Sequence, residues 1–401
     1  MPRTEAVIID AVRTPIGKYG GVLRDSRPDD LSSLVIKTLL ERARIDPTLI
    51  QDVMWGCANQ AGEDNRNIGR MAVLLAGLPH QVPGTTINRL CGSSMDALHH
   101  VVRAIWADDL QIGIAGGVES MSRAPYSIPK NQSGSYGNVT AFDTSLGWRY
   151  ANPKMEKIFP LESMGETAEN IAEKYRISRE EQDEFAYASH MKAVTAQKNC
   201  KFQDEIIPVE TPQKKGNTLV VSQDEGPRAD TSLEKLSKLP PAFRPNGTVT
   251  AGNSSSLNDG ASAMLVMAET KAKELRLRPI ARIVSTGVAG VDPRYMGIGP
   301  VPAVETALQK AGITMNHVDL TELNEAFAAQ SIAVMRDLHI DPSKLNPNGG
   351  AIALGHPLGC SGARILTTLL HEMQRSNLRF GLATMCIGVG QGIATIVEMT
   401  N

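Results

Sequence analysis

Aromatic side chains are scarce, at 4% of the 401 residues. Proteins that hold single-stranded nucleic acid stack its bases on such rings, so the deficit speaks against that class. Charge of one sign is not in excess either. The formal net charge is −2, with acidic and basic residues mixed throughout, which leaves no electrostatic footprint for nucleic acid or an anionic membrane. No apolar run approaches the ~20 residues of a membrane span. Cysteines are few and odd in number, at 57, 91, 200, 360 and 386, with no C-x-x-C among them. That pattern argues against a disulfide scaffold or zinc ribbon. His371-Glu372 begins like a zincin motif, but Arg375 stands where the second histidine belongs, so no metal is expected. The opening Met1-Pro2-Arg3-Thr4-Glu5 runs straight into the apolar Ala6-Val7-Ile8-Ile9, without the length or cleavage site of a signal peptide. The last residues resemble no retention or peroxisomal signal. A cytoplasmic protein is expected.

What is present is organised as a duplication. Leu34 to Ile45 reads as an amphipathic helix followed by a strand at Ile50 to Val53, and Pro302 to Ile313 repeats that pattern before His317 to Leu320. Each half continues with a glycine-containing loop, a second helix and another strand: Asn88 to Ser94, Met95 to Ala107 and Ile112 to Ala115 in the first; Gly355 to Ser361, Gly362 to Met373 and Phe380 to Ala383 in the second. Strands alternating with helices predict an α/β fold with mixed, largely parallel sheets. Between the halves, 121–250 is polar and rich in glycine and proline, as at Lys130 to Ser135 and Lys214 to Asn217. A helix from Ser178 to Lys198 interrupts it, with Ser178 and Glu181 at capping-box spacing. So long an excursion suits a substrate cover.

Four stretches carry candidate chemistry. Cys91 precedes a helix start whose amides would favour a thiolate, with Ser93 and Ser94 as capping candidates; a lone cysteine is more often a small buried hydrophobe, the preferred reading of Cys91 taken alone, and Cys360 has a similar setting. Asn324-Glu325 ends a strand just before a helix, where Asn324 is either a site residue or a helix cap. His356 lies among the glycines of Gly349 to Gly359, which let backbone approach a ligand, and a histidine near a cysteine can take its proton. Cys386-Ile387-Gly388-Val389-Gly390 follows the strand Gly381 to Thr384 and fits a turn between two strands, with amides free to form an oxyanion hole.

Taken together, Asn88 to Leu98 (NRLCGSSMDAL), Thr250 to Gly260 (TAGNSSSLNDG), Asn324 to Ala328 (NEAFA), Asn348 to Arg364 (NGGAIALGHPLGCSGAR) and Cys386 to Gly392 (CIGVGQG) resemble the thiolase family over almost the whole chain. The resemblance implies two duplicated α/β domains in a five-layered αβαβα structure: 1–120 with about 251–277 as the first, 278–401 as the second, and a loop domain at 121–250. It implies a homodimer or homotetramer that uses coenzyme A as substrate, with acyl-CoA the other, and holds no permanent cofactor. By motif, Cys91 is the nucleophile, His356 activates it and Cys386 is the acid/base across the substrate. His356 with a water on Asn324 serves one oxyanion hole, and the amides of Cys91 and Gly388 serve the other. Arg228 and Ser255 are expected at coenzyme A, and Ala251, Met164 and Phe327 along the thioester channel; Lys235 replaces a serine found in some members. Ser163 stands before Met164 where acetoacetyl-CoA enzymes often have histidine, which points to a degradative 3-ketoacyl-CoA enzyme. Gly56 to Asn67 (GCANQAGEDNRN) and Gly147 to Pro153 (GWRYANP) resemble 3-oxoadipyl-CoA members. Such a substrate ends in a carboxylate, for which Arg70, Arg123 and Arg149 are the candidate cations. Cys360 is expected to be structural. A non-catalytic acyl-CoA-binding relative would have lost one of Cys91, Asn324, His356 and Cys386.

Overall fold

The computed structural model describes residues 3–130, 138–212 and 217–400. Most of the polar stretch Lys130 to Ser135, and the start of Lys214 to Asn217, lie outside those residues. The first half contains strands β1 (Ala6–Arg13), β2 (Gly17–Lys18), β3 (Asp52–Gly56), β4 (Gly84–Ile87) and β5 (Ile112–Ser120), with helices α1 (Pro28–Ala43), α2 (Ile68–Leu75) and α3 (Ser93–Trp106). The excursion holds two small hairpins, β6 (Tyr126–Ser127) with β7 (Phe142–Asp143) and β8 (Val209–Pro212) with β9 (Thr218–Val221), and helices α4 (Pro153–Glu156), α5 (Met164–Tyr175), α6 (Arg179–Lys198) and α7 (Leu233–Ser237). Next come β10 (Asn258–Ala268), α8 (Glu269–Glu274), β11 (Ala281–Gly290), α9 (Pro300–Ala311), β12 (Leu320–Leu323), α10 (Ala328–Asp337), α11 (Ala351–Leu354), α12 (Leu358–Arg375), β13 (Phe380–Ile387) and β14 (Gln391–Met399).

The strands run β12-β13-β14-β11-β1-β10-β5-β3-β4, with β2 on β10. The order β1-β10-β5-β3 in one half is matched by β11-β14-β13-β12 in the other, and both end on a parallel pair, β5 with β3 and β13 with β12. The duplication is therefore topological. The expectation of largely parallel sheets is corrected: only β3–β4, β3–β5 and β12–β13 are parallel, and every other pairing along this path is antiparallel. The long strands β10 and β14 return beside β5 and β13 through the excursion and a hairpin, so no helix crossover forces a parallel sense there.

The two halves of the sheet meet at only two residue pairs, Val7 with Arg282 and Ile8 with Ala281. Helices α3 and α12 lie between them: Met95, Leu98, Val102, Ile365, Leu366 and Leu369 are buried with Ala115 and Met264 of one half and Met385 and Ile393 of the other. Helices α1 and α2 cover the outer face of the first half, and α9 that of the second. This is the αβαβα layering. Helix α6 starts where the capping box placed it, with both reciprocal bonds of Ser178 and Glu181 present. Among the described residues no helix is long and apolar enough to cross a membrane.

Candidate active site

Three segments from distant parts of the chain converge beside the ends of β4, β12 and β13. Cys91 follows β4 and immediately precedes α3. Its helix-start setting holds, but the capping expectation does not: the N-cap is Gly92, with no side-chain cap. Ser93 Oγ donates to Leu90 O at 2.6 Å and accepts from the Arg89 amide, whereas Ser94 Oγ accepts from the amide of Ala363 on α12. These serines hold the loop and join the two central helices. Gly92 is glycine because a Cβ would lie 2.6 Å from Ile387 Cδ1; the close approach brings the Cys91 loop against the β13–β14 hairpin. Leu90 (φ 47°) and Val389 (φ 62°) are both left-handed without being glycine, one beside Cys91 and one in the hairpin turn.

Cys386 lies within β13 rather than after it, because the strand continues to Ile387 and pairs across the turn with Gln391. Its thiol is buried with Met164, Ala168, Val249, Met296, Ala326 and Phe327. The backbone amides of Gly388 and of Cys91 itself donate toward the Cys91 sulfur. Burial still outweighs them and pushes that thiol up to about 11, although Cys91 keeps some access to solvent. Burial, followed by the neighbouring Cys91, raises the Cys386 thiol further. Both sulfurs rest as thiols at neutral pH.

His356 is held from behind. Its Nδ1 lies 2.6 Å from Ser361 Oγ, and that hydroxyl donates its own proton to Pro357 O at 2.9 Å. Ser361 must therefore accept from Nδ1–H, leaving Nε2 unprotonated, with its lone pair accepting from Asn324 Nδ2 at 3.4 Å. Burial, with a smaller push from Arg364, lowers the imidazole to about 3, so it is neutral and able to accept a proton. Its backbone N–H donates to Asn258 Oδ1, and the preceding Gly355 adopts φ 111°. Helix α12 begins at Leu358, earlier than the predicted Gly362, so Cys360 and Ser361 lie in its first turn. Burial pushes the Cys360 thiol up to about 12. Asn324 follows β12, and its amide donates to Thr384 O; helix α10 starts later, with Phe327 as N-cap, so Asn324 is not the cap. Its side-chain oxygen is buried without a partner.

A cleft of roughly 420 Å³ is lined by Lys18, Tyr19, His190, Arg228, Lys235 and Ala251, among others, and by Ile352 and Ala353 of the segment that leads to His356. Arg228 and Ala251 both line this cleft. Ser255 does not line the cleft; its neighbours Ser254 and Ser256 do, while the Ser255 amide donates to Ala326 O and ties this loop to the Asn324 segment. Met164 and Phe327 pack with Cys386. Among the described residues one buried group has ligand-type atoms within 4.8 Å of one another, Cys57, Asp64 and Glu119. Glu119 already accepts from the amides of Ala58, Asn59 and Gly359, and Asp64 from that of Gly62, so the group anchors loops.

Sequence reasoning missed Ser361, Asn258 and Glu119 as supports of the His356 loop. Ser361 and Asn258 stand inside matched motifs, but nothing in their spacing says which partner they reach.

A cysteine under oxyanion-type amides, a neutral histidine and a second thiol, on duplicated halves around two central helices, define an acyl-transfer enzyme. The family model "Thiolase, N-terminal domain" matches residues 6–270 and "Thiolase, C-terminal domain" residues 277–399. The chain belongs to the thiolase family, and its activity is the CoA-dependent thiolytic cleavage of 3-ketoacyl-CoA. It is 53% identical to the 3-oxoadipyl-CoA/3-oxo-5,6-dehydrosuberyl-CoA thiolase of Escherichia coli (strain K12) and 50% identical to a beta-ketoadipyl-CoA thiolase of Acinetobacter baylyi, over 98% of this chain and 99% of each relative. It is 51% identical to the 3-ketoacyl-CoA thiolase of Pseudoalteromonas translucida, over 98% of both chains. The crystal structure of human mitochondrial 3-ketoacyl-CoA thiolase superposes with a TM-score of 0.93 at 41% identity, covering 99% of both chains.

Proposed function

We propose that Cys91 carries the acyl group, that His356 and Cys386 move the protons, and that 3-oxoadipyl-CoA is the substrate this chain cleaves. The observation that carries the assignment of roles is the convergence of the Cys91 sulfur, the Gly388 amide and Cys386 from separate segments of the fold. As Cys91 Sγ attacks the 3-keto carbon, its proton passes to Nε2 of His356, the free nitrogen of the ring. The new alkoxide is held by the amides of Cys91 and Gly388. Breaking the C2–C3 bond expels the enolate of acetyl-CoA, which Cys386 protonates at C2; Asn324, through a water, and His356 hold the enolate oxygen. The Cys386 thiolate then takes the thiol proton of a second coenzyme A, whose sulfur attacks the acyl-Cys91. The shortened acyl-CoA leaves and His356 returns its proton to Cys91.

Lys18, Arg228 and Lys235 on the cleft suit the phosphates of coenzyme A, and the planar guanidinium of Arg228 is the one of the three able to make a bidentate contact. The described residues of the 121–250 excursion cover the site, a reading supported by Met164, His190 and Arg228, which that segment contributes. Assembly as a homodimer or homotetramer is supported by the exposed Met71, Leu74 and Leu75 near the open sheet edge at β4. The names of the Escherichia coli and Acinetobacter baylyi relatives support 3-oxoadipyl-CoA as the substrate.

The test is thiolysis of 3-oxoadipyl-CoA by wild type and Cys91→Ala, with mass spectrometry of the quenched enzyme. An acyl adduct on the Cys91 peptide, absent from the variant along with turnover, is expected. Turnover that survives in Cys91→Ala would remove Cys91 from the mechanism.

A further inference from the structure

A 3-oxoadipyl group carries a carboxylate at its far end, and the three candidate cations for it are now in place. Arg123 is neutralised by Glu63, which accepts from its Nε at 2.5 Å and its Nη2 at 2.6 Å. Arg70 donates to the carbonyls of His80 and Val82, ahead of β4 and at the opposite end of that strand from Asn88 and Cys91. Arg149 differs from both.

Arg149 is half-buried, and its guanidinium donates only to neutral oxygens: Nη2 to Asn59 Oδ1 at 2.9 Å and Nη1 to Thr144 O at 3.4 Å. Among the described residues no carboxylate pairs with it, and its Nε has no acceptor. Glu119 on β5, which accepts from the Asn59 amide, is taken up by three backbone amides. A partly desolvated guanidinium held by neutral acceptors keeps most of its capacity for a carboxylate.

Its position relates it to the reacting groups on two sides. Asn59 follows Ala58, whose carbonyl accepts from Asn88 Nδ2 at 2.9 Å, and Asn88 leads into Leu90 and Cys91. On the other side Trp148 Nε1 donates to Glu162 O at 3.1 Å, two residues before Met164. The Met164 sulfur lies 3.5 Å from where a Cβ on Gly388 would stand. The segment carrying Arg149 thus bridges the loop beneath Cys91 and the residues beside Gly388.

We propose that Arg149 is the specificity-determining residue for a dicarboxylic acyl group: its guanidinium leaves Asn59 and pairs with the distal carboxylate of a bound 3-oxoadipyl-type thioester. This rests on the thiolase reading and its 3-oxoadipyl-CoA substrate given above.

The experiment compares kcat/KM for thiolysis of 3-oxoadipyl-CoA with that of 3-ketohexanoyl-CoA, which has the same chain length and a methyl in place of the carboxylate. In Arg149→Gln the value for 3-oxoadipyl-CoA should fall about 10- to 100-fold, the loss expected of one charge-assisted pair, mostly through KM, while 3-ketohexanoyl-CoA changes less than about threefold. Arg149→Lys should recover part of the loss. Equal losses on both substrates would mean that Arg149 only holds its loop, and no loss on either would remove it from the site; either result overturns the proposal. A wild-type enzyme that uses 3-ketohexanoyl-CoA as well as 3-oxoadipyl-CoA would overturn the substrate reading beneath it, whatever the variants do.

Discussion

Ser361 Oγ accepts the Nδ1 proton of His356 at 2.6 Å while giving its own proton to Pro357 O, and this one contact decides which ring nitrogen faces the reacting groups. Ser361 touches no substrate in the proposed reaction; it acts through the histidine.

Replacing Ser361 by Ala removes the acceptor, and the ring is free to carry its proton on Nε2 instead. We expect kcat to fall about 10- to 100-fold with a small change in KM, as for a base left in the wrong tautomer. Ser361→Thr, which keeps the hydroxyl, should recover part of the rate. An unchanged kcat in Ser361→Ala would show that the hydroxyl does not set the tautomer.

Gly355 meets two constraints at once. Its φ of 111° is open to glycine, and a Cβ would fall 2.4 Å from Asn258 Nδ2, the side chain that anchors the His356 amide. Gly355→Ala should lower the midpoint of urea unfolding and cut kcat by more than tenfold. A variant as active as wild type would mean that the loop tolerates the shift.

Burial pushes Glu119 up to about 7, only partly offset by the amides it accepts from. A carboxyl whose folded value lies above its unfolded one loses its proton first in the unfolded chain. Its contribution to stability is therefore full below about pH 4.5 and is lost as the pH rises through about 7. Glu119→Gln cannot titrate, so the fall in Tm between pH 5 and pH 7.5 should be smaller in the variant. Parallel Tm curves would assign the pH dependence to other groups.

Arg13 is wholly buried on β1 and pairs with Glu205 at 2.6 Å and Asp224 at 2.7 Å, both on the segment that leads toward Arg228. Removing one carboxylate leaves a buried cation short of a partner. Asp224→Ala should cost about 3–5 kcal/mol in denaturant unfolding and raise KM for coenzyme A, because the cleft wall loosens with it. A loss below about 1 kcal/mol would mean that the guanidinium finds water instead.

The sequence was most legible where the chemistry is local. The capping box of Ser178 and Glu181 is a four-residue event, and the helix began there. The hairpin after Cys386 was readable from its glycines, since a turn between strands is decided within a few residues. The sense of the sheets was misread because antiparallel returns such as β5–β10 span more than a hundred residues, where no periodicity survives. Ser93 and Ser94 have cap-type side chains, but tertiary partners at Leu90 and Ala363 outcompete the helix end.

By itself the sequence determined the kind of chemistry: two cysteines, a histidine and an asparagine, each in a glycine-bearing motif, together with the duplicated helix–strand pattern that carries them. Only the tertiary structure decided which nitrogen of His356 is unprotonated, that Gly92 brings Cys91 against Ile387, and that of the three arginines Arg123 alone is paired with a carboxylate among the described residues while Arg70 lies at the far end of β4. The approach of Gly92 to Ile387 joins segments separated by many residues, and such contacts form only when burial of the two central helices draws both halves of the sheet around them; the His356–Ser361 contact is short in sequence but needs the backbone turn at Gly355 that Asn258 anchors.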